Sequence, residues 1–411
     1  MKRLLVSAVA GAAVLLPVGA LPAQGAPNCA AAGVAYAPVP WPQRMLDVER
    51  IWPLTRGGGI KVAVLDSGTD AGHPQLAGRI QPGTDVLQPG GDGRADCAGR
   101  GTRTAGIVVA QPATGVGFHG VAPQATVVPV RVSDNETSGP SGGSTGMVAG
   151  LKFAANSGAR VILVSFAVYN ADPALQAEVA AAVARDILVV AAVGDDNGTN
   201  RPNRTPYPAA FPDVLGVGAI DESTLVTQES GAGPFVDLVA PGAEVVSTQR
   251  GGGLAVDDGT AYAAAFVAGA AALVRARWPN MKASDVARRL TATAAPAPGG
   301  LDTAAYGSGI VDPYAAVADQ LAGRSPAALP GLGKESESDR ERARNWTSSA
   351  NLALLLVAIA VLTTLACVGV AAALPRGRRA RWRPRVAARP VQRHEDEEPA
   401  PPVRLFADRE Q

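Results

Sequence analysis

Val62-Ala63-Val64-Leu65-Asp66-Ser67-Gly68 reads as a buried strand that ends in an acid and then turns on glycine. Seven residues after that acid come His73 and Pro74. A continuous apolar, β-branched run of this kind belongs in a parallel sheet covered on both faces. Similar short runs recur at Lys61–Asp66, Ala125–Val130, Val161–Ser165, Leu188–Val193 and Val214–Ala219. Between and after them lie helical patterns at Thr102–Ala110, Ser144–Asn156, Pro173–Arg185, Thr260–Arg277 and Lys282–Ala294. The alternation predicts an α/β fold with a mainly parallel sheet. No internal repeat is visible.

The rest of the composition agrees. The 411 residues suffice for one large domain with appendages. A hydrophobic content of 47%, with 47 Gly and 33 Pro, suits a loop-rich α/β protein. The net charge of +1 gives no bulk electrostatic reason to expect a nucleic-acid partner. No metal-ligand cluster or Ca²⁺ loop pattern stands out, and no cofactor is expected.

Both ends look like targeting segments. Lys2 and Arg3, the apolar run Leu4 to Val18 and the small residues Ala23 to Ala26 read as a secretory signal peptide, residues 1–26. An uncleaved anchor is the alternative. Asn351 to Leu374 carries no charged residue, and at about 1.5 Å per residue it can span a ~30 Å hydrocarbon core. Arg376, Arg378, Arg379, Arg381, Arg383 and Arg385 follow it, which places the 375–411 tail in the cytoplasm. So long an uncharged segment before six arginines argues against a buried core helix. Residues 351–374 are thus expected to be a transmembrane helix that contacts lipid over Leu352–Leu374. Residues 322–350, rich in Pro, Gly and charge, read as a solvated linker. An N-terminal extension, 27–56, and one folded domain, 57–321, remain.

Of three cysteines, Cys367 falls in the apolar segment and Cys29 and Cys97 in the exported part. The last two can pair in an oxidising compartment, in one connectivity only. The bridge would close a loop of roughly 68 residues, which corresponds to around 4 kcal/mol in the chain-entropy model.

Asp258-Gly259-Thr260-Ala261-Tyr262-Ala263-Ala264-Ala265-Phe266-Val267-Ala268-Gly269 resembles the nucleophile segment of subtilisin-like serine proteases, Gly-Thr-Ser-x-Ala-x-Pro-x-Val-Ala-Gly. Ala261 stands where that family has its serine. The Asp66 segment with His73-Pro74 is similar to the family's Asp-[Ser/Thr]-Gly-x-x-x-x-His-Pro. There the acid orients the catalytic imidazole. Gly99-Arg100-Gly101-Thr102-Arg103-Thr104-Ala105-Gly106 looks like His-Gly-Thr-x-x-Ala-Gly, with Arg100 at the base position. Arginine stays protonated and accepts no proton from a hydroxyl. Val193-Gly194-Asp195 matches the segment that carries the oxyanion-stabilising Asn, with Asp195 in its place. A carboxylate there repels a developing oxyanion, and losing that donor typically costs about 10²–10³ in rate. In subtilisin itself, loss of the serine or the base costs about 10⁶ in kcat.

The resemblance extends from roughly Trp41 to Leu321. It implies a subtilisin-like three-layer fold, with the order acid, base, nucleophile at Asp66, Arg100 and Ala261. Asp237-Leu238-Val239-Ala240-Pro241-Gly242 and Gly307-Ser308-Gly309-Ile310-Val311-Asp312 look like further landmarks of the family. Ser165-Phe166-Ala167 departs from its Ser-x-Gly at the substrate edge. None of His73, His119 and His394 is placed to replace the base. Trp52-Pro53-Leu54-Thr55-Arg56-Gly57-Gly58-Gly59-Ile60-Lys61 before the strand, with Cys29, Cys97 and the C-terminal apolar segment, is similar to the mycosins. These are membrane-anchored subtilases of actinobacterial type VII secretion. The chain lacks the second exported cysteine pair usual in them. The resemblance implies peptide cleavage, which the substitutions remove, or a structural role in a secretion membrane complex, which they leave. Two further readings are a cleft that binds extended peptides without cutting them and an active subtilisin-like serine endopeptidase, which would need Ser67, Ser165 or Ser230 as a substitute nucleophile activated without a histidine. An unpaired Asp66 would be destabilising once buried, so Arg100 is expected to pair with it.

Overall fold

Nine strands and seven helices follow one another in the folded domain of the computed structural model, which describes residues 29–135, 139–195, 204–298, 303–319 and 356–365. The strands are β1 (Lys61–Asp66), β2 (Thr84–Asp85), β3 (Thr126–Arg131), β4 (Val161–Val164), β5 (Leu188–Ala192), β6 (Val214–Ile220), β7 (Leu238–Pro241), β8 (Val245–Thr248) and β9 (Leu254–Asp257). The helices are α1 (Trp41–Leu46), α2 (Arg100–Val109), α3 (Ser144–Asn156), α4 (Pro173–Ala184), α5 (Thr260–Arg277), α6 (Ala283–Ala292) and α7 (Pro313–Ala318). Seven strands form one sheet in the order β2-β3-β1-β4-β5-β6-β7, every pairing parallel. A separate antiparallel hairpin joins β8 to β9.

The period-2 geometry of β1 sorts its side chains between two cores. Val62 and Val64 pack with residues of α2 and α5, whereas Ala63 and Leu65 pack with Met147 and Leu151 of α3 and Leu175 and Val179 of α4. The result is the expected three layers: helices on both faces of a parallel sheet. Nearly every residue of α5 is buried. Its small side chains permit close approach: a Cβ on Gly269 would lie 2.7 Å from the Val121 Cβ.

The winding locates the site. From β1 the chain goes through α2 to β3 on one side, then through α3 to β4 on the other. The carboxyl ends of β1 and β4 therefore flank a topological switch, where α/β folds open a crevice. Asp66 ends β1, and Ser165 follows β4.

The five expected strands and five expected helices all form, and their ends coincide with the expected ones or differ by one or two residues. Helix α2 begins at Arg100 rather than Thr102, because the Asp96 carboxylate accepts from the Gly99 N–H at 2.8 Å and the Thr102 N–H at 2.8 Å and so caps an earlier turn. Strands β2, β7, β8 and β9 and helices α1 and α7 were not expected as elements; all are six residues or shorter. Cys29 and Cys97 are bonded, as expected.

The signal peptide, the 322–350 linker, the 375–411 tail and all of the 351–374 segment except residues 356–365 lie outside the described residues. The chain divides into two units, Met1–Ala322 and Gly323–Gln411. In the second unit, residues 356–365 are helical. Among the described residues, no helix is long and apolar enough to cross a membrane.

Candidate active site

Asp66 is fully buried and accepts four hydrogen bonds. Its Oδ1 takes the Ser67 N–H at 2.7 Å and Arg100 Nε–H at 3.0 Å. Its Oδ2 takes the hydroxyls of Thr104 at 3.0 Å and Ser165 at 2.5 Å. Arg100 is the first residue of α2, and Thr104 lies one turn further on the same face, so both reach down to the end of β1. The Arg100 guanidinium carbon also sits 3.4 Å from the Phe166 ring centroid, a stacked cation–π contact. The chain thus holds Arg100 at the mouth of Asp66 by charge, hydrogen bond and stacking together.

Helix α2 approaches β1 closely at Gly101. A Cβ there would stand 1.9 Å from the Gly68 carbonyl oxygen. The adjoining Asp96 is buried and accepts from the hydroxyls of Ser67, at 2.9 Å, and Thr102, at 2.6 Å. Burial pushes its pKa up, against the pull of the Thr102 and Gly99 hydrogen bonds.

Asp195 follows β5 and meets the start of α5. Its Oδ1 accepts the Thr260 N–H at 2.7 Å, and the Thr260 hydroxyl takes the Gly194 N–H at 3.1 Å. Helix α5 begins after Gly259, which offers no side-chain cap, so Asp195 supplies the acceptor for the Thr260 N–H. The residue is exposed overall, yet its carboxyl group is crowded by protein atoms. That crowding raises its pKa, with Thr260 and the Arg100 charge opposing.

Arg100, Asp195 and Ala261 line one cavity of about 560 Å³. Glu229, Glu244, Asp257 and Asp258 complete an acidic wall. The four positions singled out in the sequence therefore converge: three line the cavity and Asp66 lies beneath Arg100. Among the described residues, no histidine lines it. His73 binds the Gly253 carbonyl through Nε2, and His119 packs against Trp52. Ala261 has no hydroxyl, and three serines considered as substitutes are committed. Ser67 donates to Asp96, Ser165 to Asp66, and the Ser230 oxygen accepts from Ala219 N–H at 3.1 Å.

A second buried network was missed in the sequence. Arg103 donates from Nε to the Tyr262 hydroxyl at 3.1 Å and from Nη1 to Gln249 Oε1 at 2.6 Å, and its Nη2 is 2.8 Å from Asp257 Oδ2. The Tyr262 hydroxyl donates to Asp257. Burial raises the Tyr262 pKa well above its ordinary value. This network ties α2, α5 and β9 together at the wall of the cavity, which Asp257 and Tyr262 line. A signal did exist at one end of it: Tyr262 carries a hydroxyl inside the otherwise apolar run that opens α5, whereas Arg103 sits among the polar residues Arg100, Thr102 and Thr104. Among the described residues, no group of three His, Cys, Asp or Glu side chains could hold a metal ion.

Comparisons with known proteins agree with this geometry. The profile of the subtilase family matches residues 57–309. Mycosin-4 of Mycobacterium tuberculosis (strain ATCC 25618 / H37Rv) is 33% identical over 407 residues, covering 85% of this chain and 88% of that protein. Subtilisin E of Bacillus subtilis (strain 168) is 34% identical over 238 residues, covering 58% of this chain and 61% of that protein. Among solved structures, the periplasmic assembly from the ESX-5 inner membrane complex contains a chain with TM-score 0.64 and 32% identity, covering 74% of this chain and 90% of that one. MycP1 from Mycobacterium smegmatis gives TM-score 0.63 and 27% identity, covering 74% and 93%. With its three-layer fold, its acid at the end of β1 and its matching span, the chain belongs to the subtilase family, in its mycosin-like part.

Proposed function

We propose that this chain is a catalytically inactive, mycosin-like subtilase that serves as a structural component of a type VII secretion membrane complex. One observation carries the inactivity. Arg100 occupies the position of the general base and is engaged with Asp66 at 3.0 Å, so the acid orients no imidazole. Ala261 offers no nucleophile, and Asp195 brings negative charge where an oxyanion would form. Catalysis by such a site lacks base, nucleophile and preorganised donor together. The role in secretion is supported by relatives: one is named a mycosin, and another forms part of the ESX-5 periplasmic assembly.

The proposed plan is a signal peptide (1–26), an extension (27–56), the subtilase domain (57–321), a linker (322–350), a membrane helix (351–374) and a cytoplasmic tail (375–411). The folded domain then lies outside the cytoplasm beside its membrane partners.

A second reading is favoured by the cavity. It remains open next to Ala261, so an extended peptide has room to bind without being cut.

The test compares the full-length chain as it stands with Ala261→Ser and with the combined Arg100→His, Asp195→Asn, Ala261→Ser form. Each is treated with a serine-directed fluorophosphonate and a broad peptide library. A silent natural chain and a labelled triple form support the reading. Cleavage or labelling by the natural chain overturns it. Peptide binding without cleavage selects the second reading.

A further inference from the structure

His73 is buried at 3% exposure and stands outside the candidate active site. Its two ring nitrogens have different jobs. Nδ1 accepts the Gln75 backbone N–H at 3.2 Å, so it carries no proton. The proton therefore sits on Nε2, which donates to the Gly253 carbonyl at 2.9 Å. Only the neutral imidazole in this one tautomer makes both bonds. A second proton would have to go on Nδ1, where it meets another N–H.

What His73 holds is a turn. Gly251, Gly252 and Gly253 link β8 to β9, with φ of 77°, 102° and 72°. These left-handed conformations suit glycine and give the turn little stiffness of its own. Asp70 steadies the same turn by accepting the Gly251 N–H at 2.7 Å. On its outer side the turn and hairpin carry the N-terminal strap, residues 30–34. Gly33 N–H donates to the Gly252 carbonyl at 2.8 Å, and Val34 and Leu254 exchange two backbone bonds of 2.8 Å each. Gln249 and Arg250 donate to the carbonyls of Ala31 and Ala30. At its far end β9 reaches Asp257, which lines the cavity.

We infer that His73 is an acid-sensitive latch: neutral, it fixes the Gly251–Gly253 turn and the strap, and on protonation it releases both. The charged groups around it set the direction. Burial pushes the His73 pKa below 6.5, while the Gly253 bond and the Asp70 charge act the other way. On the hairpin, Arg250 is bound to the Ala30 carbonyl. In the loop before α2, Arg94 pairs with Asp92, and Asp96 is bound to Ser67 and Thr102. Arg103 of α2 is bound to Asp257, Tyr262 and Gln249. Because the folded state disfavours the charged ring, the stability His73 contributes is present above pH 6.5 and is lost as pH falls through the folded pKa.

The experiment is hydrogen–deuterium exchange of the full-length chain in detergent between pH 7.5 and 5, with times scaled for the intrinsic chemistry. The amides of Gly33, Val34, Gly251 and Leu254 should lose protection by at least about tenfold, while α5 stays protected. His119→Gln should keep this loss, because His119 contacts Trp52 and Glu49 and not the turn. His73→Gln should abolish the pH dependence, whatever its level of protection. If His73→Gln does not fold, Asp70→Asn takes its place: an amide oxygen still accepts the Gly251 N–H, and the midpoint of the loss should move to lower pH. The latch is refuted by flat strap protection in the natural chain. It is equally refuted by a pH dependence that survives His73→Gln, vanishes in His119→Gln, or keeps its midpoint in Asp70→Asn.

Discussion

Arg100 Nε lies 3.0 Å from Asp66 Oδ1, with 10% and 1% of the two side chains exposed. Breaking a buried pair from one side leaves the other charge uncompensated, which typically costs about 3–5 kcal/mol. Arg100→Ala should therefore lose about 3 kcal/mol, at the low end because Ser67, Thr104 and Ser165 still bind the carboxylate. The double change Arg100→Met, Asp66→Asn should cost much less than the sum of its parts, since both charges leave together. Urea denaturation measures each. Equal midpoints for Arg100→Ala and the natural chain would remove the pairing argument.

Tyr262 joins Arg103 to Asp257 in a buried network. Tyr262→Phe keeps the ring and removes one acceptor and one donor. Stability should fall by about 1–3 kcal/mol, the usual cost of stranding buried partners. The lost interaction belongs to the folded domain alone, so it should appear as a lower urea midpoint with an unchanged slope. An unaltered midpoint would mean that solvent replaces the hydroxyl.

The sequence made the sheet legible because β1, β4, β5 and β6 are apolar and buried on both faces, a pattern that needs no tertiary context. Asp66, Arg100, Asp195 and Ala261 were legible as a set by alignment to motifs, and they converge in space. The pairing of Arg100 with Asp66 followed from that alignment together with the cost of leaving a buried charge unpaired. Thr104 and Ser165 as further donors did not, because hydroxyls bond wherever the fold puts them. The hairpin β8–β9 escaped notice since Leu254–Asp257 is short and half exposed. The Arg103–Tyr262 link spans 159 residues of sequence, and only the packing of α2 on α5 creates it.

Asp195 gives a pH signature. Its folded pKa is raised above 3.8, so the folded state binds the proton more tightly than the unfolded chain. The penalty on stability grows as pH rises from 3.8 through the folded pKa and is fully present above it. Asp195→Asn keeps an oxygen for the Thr260 N–H and removes the charge. It should stabilise the domain at pH 7 by about 0.5 kcal/mol, a modest figure because the residue is open to solvent. The gain should disappear below pH 3.8. Thermal melts across pH test this; a gain that persists in acid assigns the effect to packing instead.

Gly101 fixes how closely α2 can approach the end of β1. An added Cβ would lie 1.9 Å from the Gly68 oxygen and 3.1 Å from the Asp66 Cβ. The first obstacle is backbone, so no rotamer change relieves it, and the first turn of α2 must move away. That movement also pulls Arg100 from Asp66. Gly101→Ala should accordingly cost about 3 kcal/mol or more, the upper range for overpacking. Gly58→Ala is the control: its Cβ would meet only the Gln124 side chain at 3.4 Å, and stability should change by less than about 0.5 kcal/mol. Urea midpoints decide the comparison. If Gly101→Ala behaves like Gly58→Ala, the α2–β1 contact yields easily, and the site around Asp66 is softer than its hydrogen bonds imply.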